Sequence, residues 1–317
     1  MYIIKQQPSD FKVKEITNIK PQTNGKYFYY KLTKTNRNTL DVIKELAKQL
    51  SIKINQIGFA GTKDKVAITE QIISTTKSIK NINIDKTTFQ LIGKGDQPIT
   101  LGDLKGNQFE IKVITNREPI ATTFVENYFD EQRFSKHNKD IGKYIIKKQF
   151  NKATELIDNP KVKTYLQTQP NDHIGALQLL QKRLLKLYVH SYQSYLWNET
   201  VATYIETGHK VTYSQGTLTF SEKKKPLNEI PLIGFAYKNT NQEINNIIEK
   251  ILHKENLTPK DFIIKQIPEL SMEGQSRALY SEITKLAITK QQDSYIIKFY
   301  LNKGSYATMV IRKLFKQ

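Results

Sequence analysis

At 317 residues the chain has room for one large domain or two ordinary ones, and a 38% hydrophobic, 10% aromatic composition gives it the material for real cores, which excludes a disordered chain. It has no cysteine, which excludes disulfides and thiolate metal sites, and its five histidines never fall at His-x3-His spacing, so neither a histidine-built metal centre nor any other cofactor is expected. Lys and Arg total 49 against 30 Asp and Glu, and the net charge of +19 calls for a polyanionic partner or reflects a lysine-rich proteome.

In chain order, the first 120 residues read mostly as strands and turns. The run from Met1 to Pro8 has no basic region followed by a long apolar segment, and no apolar stretch approaches the ~18 residues of a membrane helix, so a soluble, cytoplasmic protein is expected. Tyr27 to Lys34 is β-prone. Asn38-Thr39 then offers an N-cap for a helix whose apolar stripe is Val42, Ile43, Leu46, Ala47 and Leu50. Ile57 to Ala60 and Ala67 to Ser74 read as two strands joined by the loop Gly61 to Lys65. From Gln108 to Ile114, Phe109, Ile111 and Val113 alternate with polar residues, the pattern of a half-buried strand.

The period changes in the middle of the chain. Tyr144 to Ile157 is helical in spacing, Ala176 to Ile205 reads as one long helix or two, ended by Gly208, and Asn241 to Leu252 as a further helix. Strand character returns from Tyr295 to Leu301. A turn at Asn302-Lys303-Gly304 leads to Ser305, an N-cap for a last helix from Tyr306 to Phe315. Strands, then helices, then a strand again point to a helical module looped out of a sheet-based domain.

The loop Gly61 to Lys65 carries one carboxylate, Asp64, between Lys63 and Lys65. Two readings stand side by side. An aspartate beside glycine often caps its own turn; an ordinary aspartate is also ionised at neutral pH and can attack carbon to form a covalent intermediate. No histidine or second acid lies nearby in sequence to make a hydrolytic acid–base pair.

The run Phe59-Ala60-Gly61-x-Lys63-Asp64-Lys65-x-Ala67-x-Thr69-x-Gln71 resembles the signature of the TruD family of tRNA pseudouridine synthases. Five further blocks, in the family's order, carry the same resemblance: Pro8-Ser9-Asp10-Phe11-x-Val13-x-Glu15; Leu104-Lys105-Gly106-Asn107-x-Phe109; Asn127-Tyr128-Phe129-x-x-Gln132-Arg133-Phe134; Tyr192-Gln193-Ser194-x-Leu196-x-Asn198; and Gly304-Ser305-Tyr306-Ala307-Thr308-x-Val310-x-Arg312. The departures are local. Asp130 and Ser135 stand where glycines are usual, Asn302-Lys303 lacks a usual proline, Lys313 replaces an acid, and Lys65 replaces an arginine, which keeps the charge and loses bidentate geometry.

The resemblance implies an α+β fold: a mixed, largely antiparallel sheet domain of the pseudouridine synthase type, residues 1–124 plus 271–317, with an inserted helix-rich domain over 125–270. It implies Asp64 as nucleophile, attacking uridine at C1′ or at C6, and tRNA as substrate, with uridine 13 of the D stem-loop as target. Phe109 is then a base-stacking ring or a core phenylalanine, and Asn107 a hydrogen-bond partner of the uracil edge or a loop holder. Lys5 and Arg312 are rival candidates for the cation that orients the carboxylate, and Lys63 completes the candidate substrate-binding set. Arg133 would contact RNA or pin a hinge. Lys143, Lys147, Lys148 and Lys152, and Lys182, Arg183 and Lys186, are solvated faces by default and phosphate contacts in a tRNA enzyme. A monomer is the default. The competing class is a non-catalytic RNA-binding protein or chaperone that keeps the fold; a DNA-binding regulator would need a helix-turn-helix that the spacing does not show.

Overall fold

The computed structural model describes residues 2–80, 82–135, 137–238 and 241–316. They gather into two compact units, Met1–Thr123 with Glu282–Ala307, and Phe124–Ser281 with Thr308–Gln317.

In the first unit the chain runs through β1 (Phe11–Thr17), β2 (Tyr27–Thr35), α1 (Thr39–Leu50), β3 (Ile57–Phe59), β4 (Ile68–Thr75), β5 (Thr87–Gly95) and β6 (Leu104–Ile114), and returns later as the strands Thr284–Gln291 and Ser294–Asn302. The sheet order is Thr284–Gln291, Ser294–Asn302, β6, β1, β4, β2, β5, with β3 on a further stretch of β4. Every ladder in it is antiparallel except that of β1 on β4. The α+β, largely antiparallel architecture is the one expected.

Strand β4 has a single partner, β2, along one edge and two in succession along the other. Lys12, Val13 and Lys14 of β1 run parallel to Ile68, Thr69 and Glu70; then Ile57, Gly58 and Phe59 of β3 run antiparallel to Thr75, Ser74 and Ile73. The Asp64 loop, which joins β3 to β4, therefore emerges where the two partners meet. Partners across a ladder share a face, so Phe11, Val13 and Glu15 of β1, Asn107 and Phe109 of β6, Phe299, and Tyr30, Leu32 and Lys34 of β2 all project to one side of the sheet.

Helix α1 covers part of that side. The Asn38 side chain accepts from the Leu40 N–H at 2.9 Å and caps its start, and Ser51, in the left-handed region at φ 53, ends it. Its predicted stripe is buried as expected: Val42, Ile43, Leu46, Ala47 and Leu50 pack with Tyr30, Leu32, Ile57, Ile73 and Ile84.

In the second unit the helical stretch expected from Tyr144 to Ile157 is two helices, Asn138–Ile146 and Phe150–Glu155, because Lys148 between them takes a left-handed φ of 57. Ala176 to Ile205 likewise divides into His173–Gln178 and Lys182–Ile205. The long helix is buried on most of its circumference. Trp197 donates to the Ile230 carbonyl at 3.1 Å and Gln193 to the Ile233 carbonyl at 2.8 Å, so the Tyr192–Trp197 cluster is core. Short strands that the helical reading passed over, His209–Tyr213 with Gly216–Phe220 and Glu229–Leu232 with Gln275–Ala278, complete this unit.

The observed units differ from the expected boundaries at the second crossing. The Gln275–Ala278 strand pairs with Glu229–Leu232, which keeps the chain in the second unit as far as Ser281 rather than 270. From Thr308 the last helix, Ala307–Phe315, also packs there: Thr308 donates to Asp130 at 2.7 Å, and Lys313 pairs with a buried Glu126 at 3.0 Å. Among the described residues no helix is long and apolar enough to cross a membrane. Leu46→Ala, at a fully buried α1 position, is expected to cost about 3 kcal/mol of unfolding free energy by chemical denaturation, since it removes buried methyls without collapse of the cavity.

Candidate active site

Four side chains, each from a different element, fix the Asp64 loop. Gln71 of β4 donates its Nε2 to the Gly61 carbonyl at 3.2 Å, and Gly61 takes φ 96, which a side chain would strain. Thr39, the first residue of α1, accepts the Lys63 N–H at 3.1 Å, and its own hydroxyl donates to Gln71 Oε1 at 3.2 Å. Lys34 of β2 donates its ammonium to the Asp64 carbonyl at 2.6 Å. Glu15 of β1 binds the Lys63 ammonium through Oε2 at 2.5 Å, while its Oε1 accepts the Ile72 N–H at 3.1 Å. That N–H lies where β4 passes from β1 to β3, so the Glu15 carboxylate closes a gap in the ladder.

The Asp64 side chain remains partly open, 28% exposed, with Oδ1 held by Lys5 Nζ at 2.7 Å. Lys5 takes a left-handed φ of 59, and its ammonium lies 4.0 Å above the Phe11 ring centroid. A cation–π contact and an ion pair on one ammonium set its position from two directions. Beneath lies an aromatic row: Phe11 meets Phe109 edge-on at 6.2 Å, and Phe109 stacks on Phe299 at 5.3 Å.

The structure thus separates the candidates. Lys5 is on Asp64. Arg312 lies in the second unit, where it pairs with Glu131 at 2.9 Å. Lys63 turns inward to Glu15, with side chains 6% and 1% exposed, so its ammonium holds the loop rather than facing solvent. Phe109 is 6% exposed and has the surroundings of a core residue. Asn107 stands opposite Glu15 in the β1–β6 ladder, and its buried Oδ1 has no hydrogen-bond partner among the described residues. The glycine before it, Gly106, has no room for a Cβ, which would sit 2.1 Å from the Leu301 carbonyl oxygen. In the second unit Arg133 donates to Ser194 at 3.2 Å, and Lys143 pairs with Glu255 at 2.7 Å. Lys148 donates to the carbonyls of Ile146 and Asp261, with burial pushing its amine below the usual lysine range.

Glu15, Lys34, Thr39 and Gln71 were not among the sequence candidates. Glu15 and Gln71 do close two of the motif blocks, a signal in hand. Lys34 and Thr39 carry none, because their contacts join residues 30 and 24 positions apart. No group of three His, Asp or Glu that could hold a metal ion occurs among the described residues.

Fold and site together describe an α+β protein that presents one lysine-paired carboxylate on a braced loop. Comparison with known proteins gives that arrangement its family. The family model for tRNA pseudouridine synthase D (TruD) matches residues 2–164, 159–229 and 215–314, and the chain belongs to the TruD family of tRNA pseudouridine synthases. It is 34% identical to the Nanoarchaeum equitans protein named "Probable tRNA pseudouridine synthase D", over 98% of both chains, and 29% identical to the tRNA pseudouridine synthase D of Aquifex aeolicus, over 98% of this chain and 97% of that one. A crystal structure from Methanosarcina mazei that carries the TruD name superposes with a TM-score of 0.71 at 24% identity, over 99% of this chain and 93% of that one, which establishes the shared fold.

Breaking the Glu15–Lys63 pair from one side leaves a buried, unpaired ammonium. Glu15→Ala is expected to destabilise the protein by about 3–5 kcal/mol in denaturant titration, and Glu15→Leu with Lys63→Met to recover a good part of that loss.

Proposed function

We propose that this chain converts uridine to pseudouridine in tRNA, at position 13 of the D stem-loop, with Asp64 as nucleophile. The observation that carries this reading is the Lys5–Asp64 pair: Lys5 holds Oδ1 at 2.7 Å and leaves Oδ2 of a partly exposed carboxylate to attack. The position in tRNA rests on the family resemblance.

The reaction breaks the bond between ribose C1′ and uracil N1 and forms one between C1′ and C5, with no net oxidation. Attack of Oδ2 at C1′ expels the uracil as its anion; the base turns, C5 attacks C1′ and displaces the carboxylate, and the C5 proton is lost to water while N1 takes one up. Attack at C6 instead gives an adduct that carries the base through the same exchange. Either route requires the target nucleotide to leave its stack before it meets Asp64. In that position the unpartnered Oδ1 of Asn107 supports a role as acceptor for a donor on the uridine, its N3–H or a ribose hydroxyl. Phe109 backs Phe11, and through it Lys5, from below. The net charge of +19 suits the phosphates of a folded RNA, recognised by shape and backbone more than by base edges.

Tritium release from tRNA transcripts labelled at uracil C5 tests the assignment. Asp64→Asn is expected to release none, while tRNA binding persists. Equal release from Asp64→Asn and the unmodified protein would remove Asp64 from the chemistry, and no release from either would favour a non-catalytic RNA binder. Asn107→Ala is expected to lower kcat/KM about tenfold, the loss of one hydrogen bond near 1.4 kcal/mol. Binding of tRNA followed by filter retention should weaken steeply as salt is raised, because phosphate contacts release counterions.

A further inference from the structure

Lys34 is fully buried, 0% exposed, at the end of a strand face that otherwise holds Tyr30 and Leu32, and the chemistry just described leaves it no task. We infer that Lys34 is a positioning residue for this reaction: its buried ammonium grips the main-chain carbonyl of Asp64 and sets where that carboxylate is presented, an inference that rests on Asp64 being the nucleophile.

An apolar side chain would fill the place without desolvating a charge, since burial is what pushes the Lys34 amine down to about 8. What offsets that cost is a 2.6 Å charge-assisted hydrogen bond to one atom, the Asp64 carbonyl oxygen. The three lysines around the loop divide the work. Lys5 takes the Asp64 carboxylate, Lys63 takes Glu15, and Lys34 takes the backbone of Asp64 itself, two bonds from its Cα. The charged groups facing Lys34 are Asp64, which favours its cation, and Lys63, which opposes it. On the flanking strands its partners are Thr69 of β4 and Thr87 of β5, and Thr39 opens α1 nearby; none of these ionises near neutrality. The buried Thr69 hydroxyl has no partner among the described residues, so nothing there competes for the ammonium.

The sign of the pH effect separates positioning from mere support of the fold. The folded protein releases the Lys34 proton near pH 8, and the unfolded chain keeps it to about 10.5, as an ordinary lysine does. Across that window the unfolded state binds more protons, so this group makes the fold more stable as pH rises. The grip on the carbonyl weakens over the same window, from charge-assisted to neutral. Rate and stability therefore move in opposite directions.

Single-turnover tritium release and thermal melts across pH on Lys34→Met, Asp64→Asn and the unmodified protein test this. The unmodified protein is expected to lose rate several-fold as pH rises through about 8 without losing melting temperature to this group. Lys34→Met is expected to be at least about tenfold slower at neutral pH, with KM for tRNA within about twofold, and to lack that alkaline limb. A Lys34→Met rate within twofold of the unmodified one, with Asp64→Asn inert, overturns the role of Lys34 alone. Release by Asp64→Asn overturns the nucleophile and the role of Lys34 with it. Should Lys34→Met not fold, a rate of the unmodified protein that stays flat through pH 8 is enough to reject the inference.

Discussion

Strand β4 changes partners in mid-course, and the Glu15 carboxylate sits at the change. Two residues earlier β1 is still paired in parallel; one residue later β3 has begun to pair antiparallel. The Ile72 N–H between them finds Glu15 at 3.1 Å, and the other carboxylate oxygen reaches into the loop and holds Lys63 at 2.5 Å. One side chain thereby satisfies a break in the sheet and anchors the loop that the break releases. It also fixes register. A slip of β1 by one residue would turn Glu15 to the opposite face and leave a backbone donor and a buried ammonium without partners, a penalty far beyond the usual cost of a misaligned strand.

From that anchor follows the order of the site. A carboxylate that must meet carbon at one distance needs its own backbone held, since attack geometry tolerates errors well under an ångström. The Asp64 loop is held at Gly61, at Lys63 by main chain and side chain, and at the Asp64 carbonyl, so little of it is left to move. The Asp64 carboxylate and Lys5 stay partly open. Such a loop arrives pre-organised, and the electrostatics around the nucleophile do not have to be rebuilt when substrate binds.

Much of this was legible in the sequence wherever the signal was local. The stripe of α1 and its Asn38 cap, the alternation of β6, and the glycine-led loop with its single acid all read directly, because helix and strand periods and turn chemistry act over a few residues. What was not legible depends on contacts between distant residues. Lys5 and Arg312 were equal candidates by charge, and only the fold puts one on Asp64 and the other on Glu131. Lys34 reads as the last residue of a β-prone run, and nothing local says that the residue it reaches is 30 positions on. Lys63 looks like a displayed cation until the ladder brings Glu15 beneath it. Lys143 and Lys148, read as solvated helix faces, are tied to Glu255 and to main-chain carbonyls. The second unit boundary moved for a similar reason: a four-residue strand has too little periodicity to declare its partner.

One sheet face also explains why the site is where it is. Along β2 and β4 the paired side chains run from Tyr30 with Ile73, through Leu32 with Gln71, to Lys34 with Thr69. The face passes from apolar to polar within three pairs, at the end where α1 begins and the Asp64 loop crosses. The apolar end is covered by α1 and supplies the burial that keeps the strands fixed; at the polar end Lys34 and Gln71 donate to carbonyls of the loop. Core and site are two ends of the same strands. A lysine is tolerated inside such a sheet because the loop brings it a carbonyl, and the loop is rigid because the lysine is there to receive it. The two contacts support each other, and together they place one aspartate at a fixed height above a packed floor.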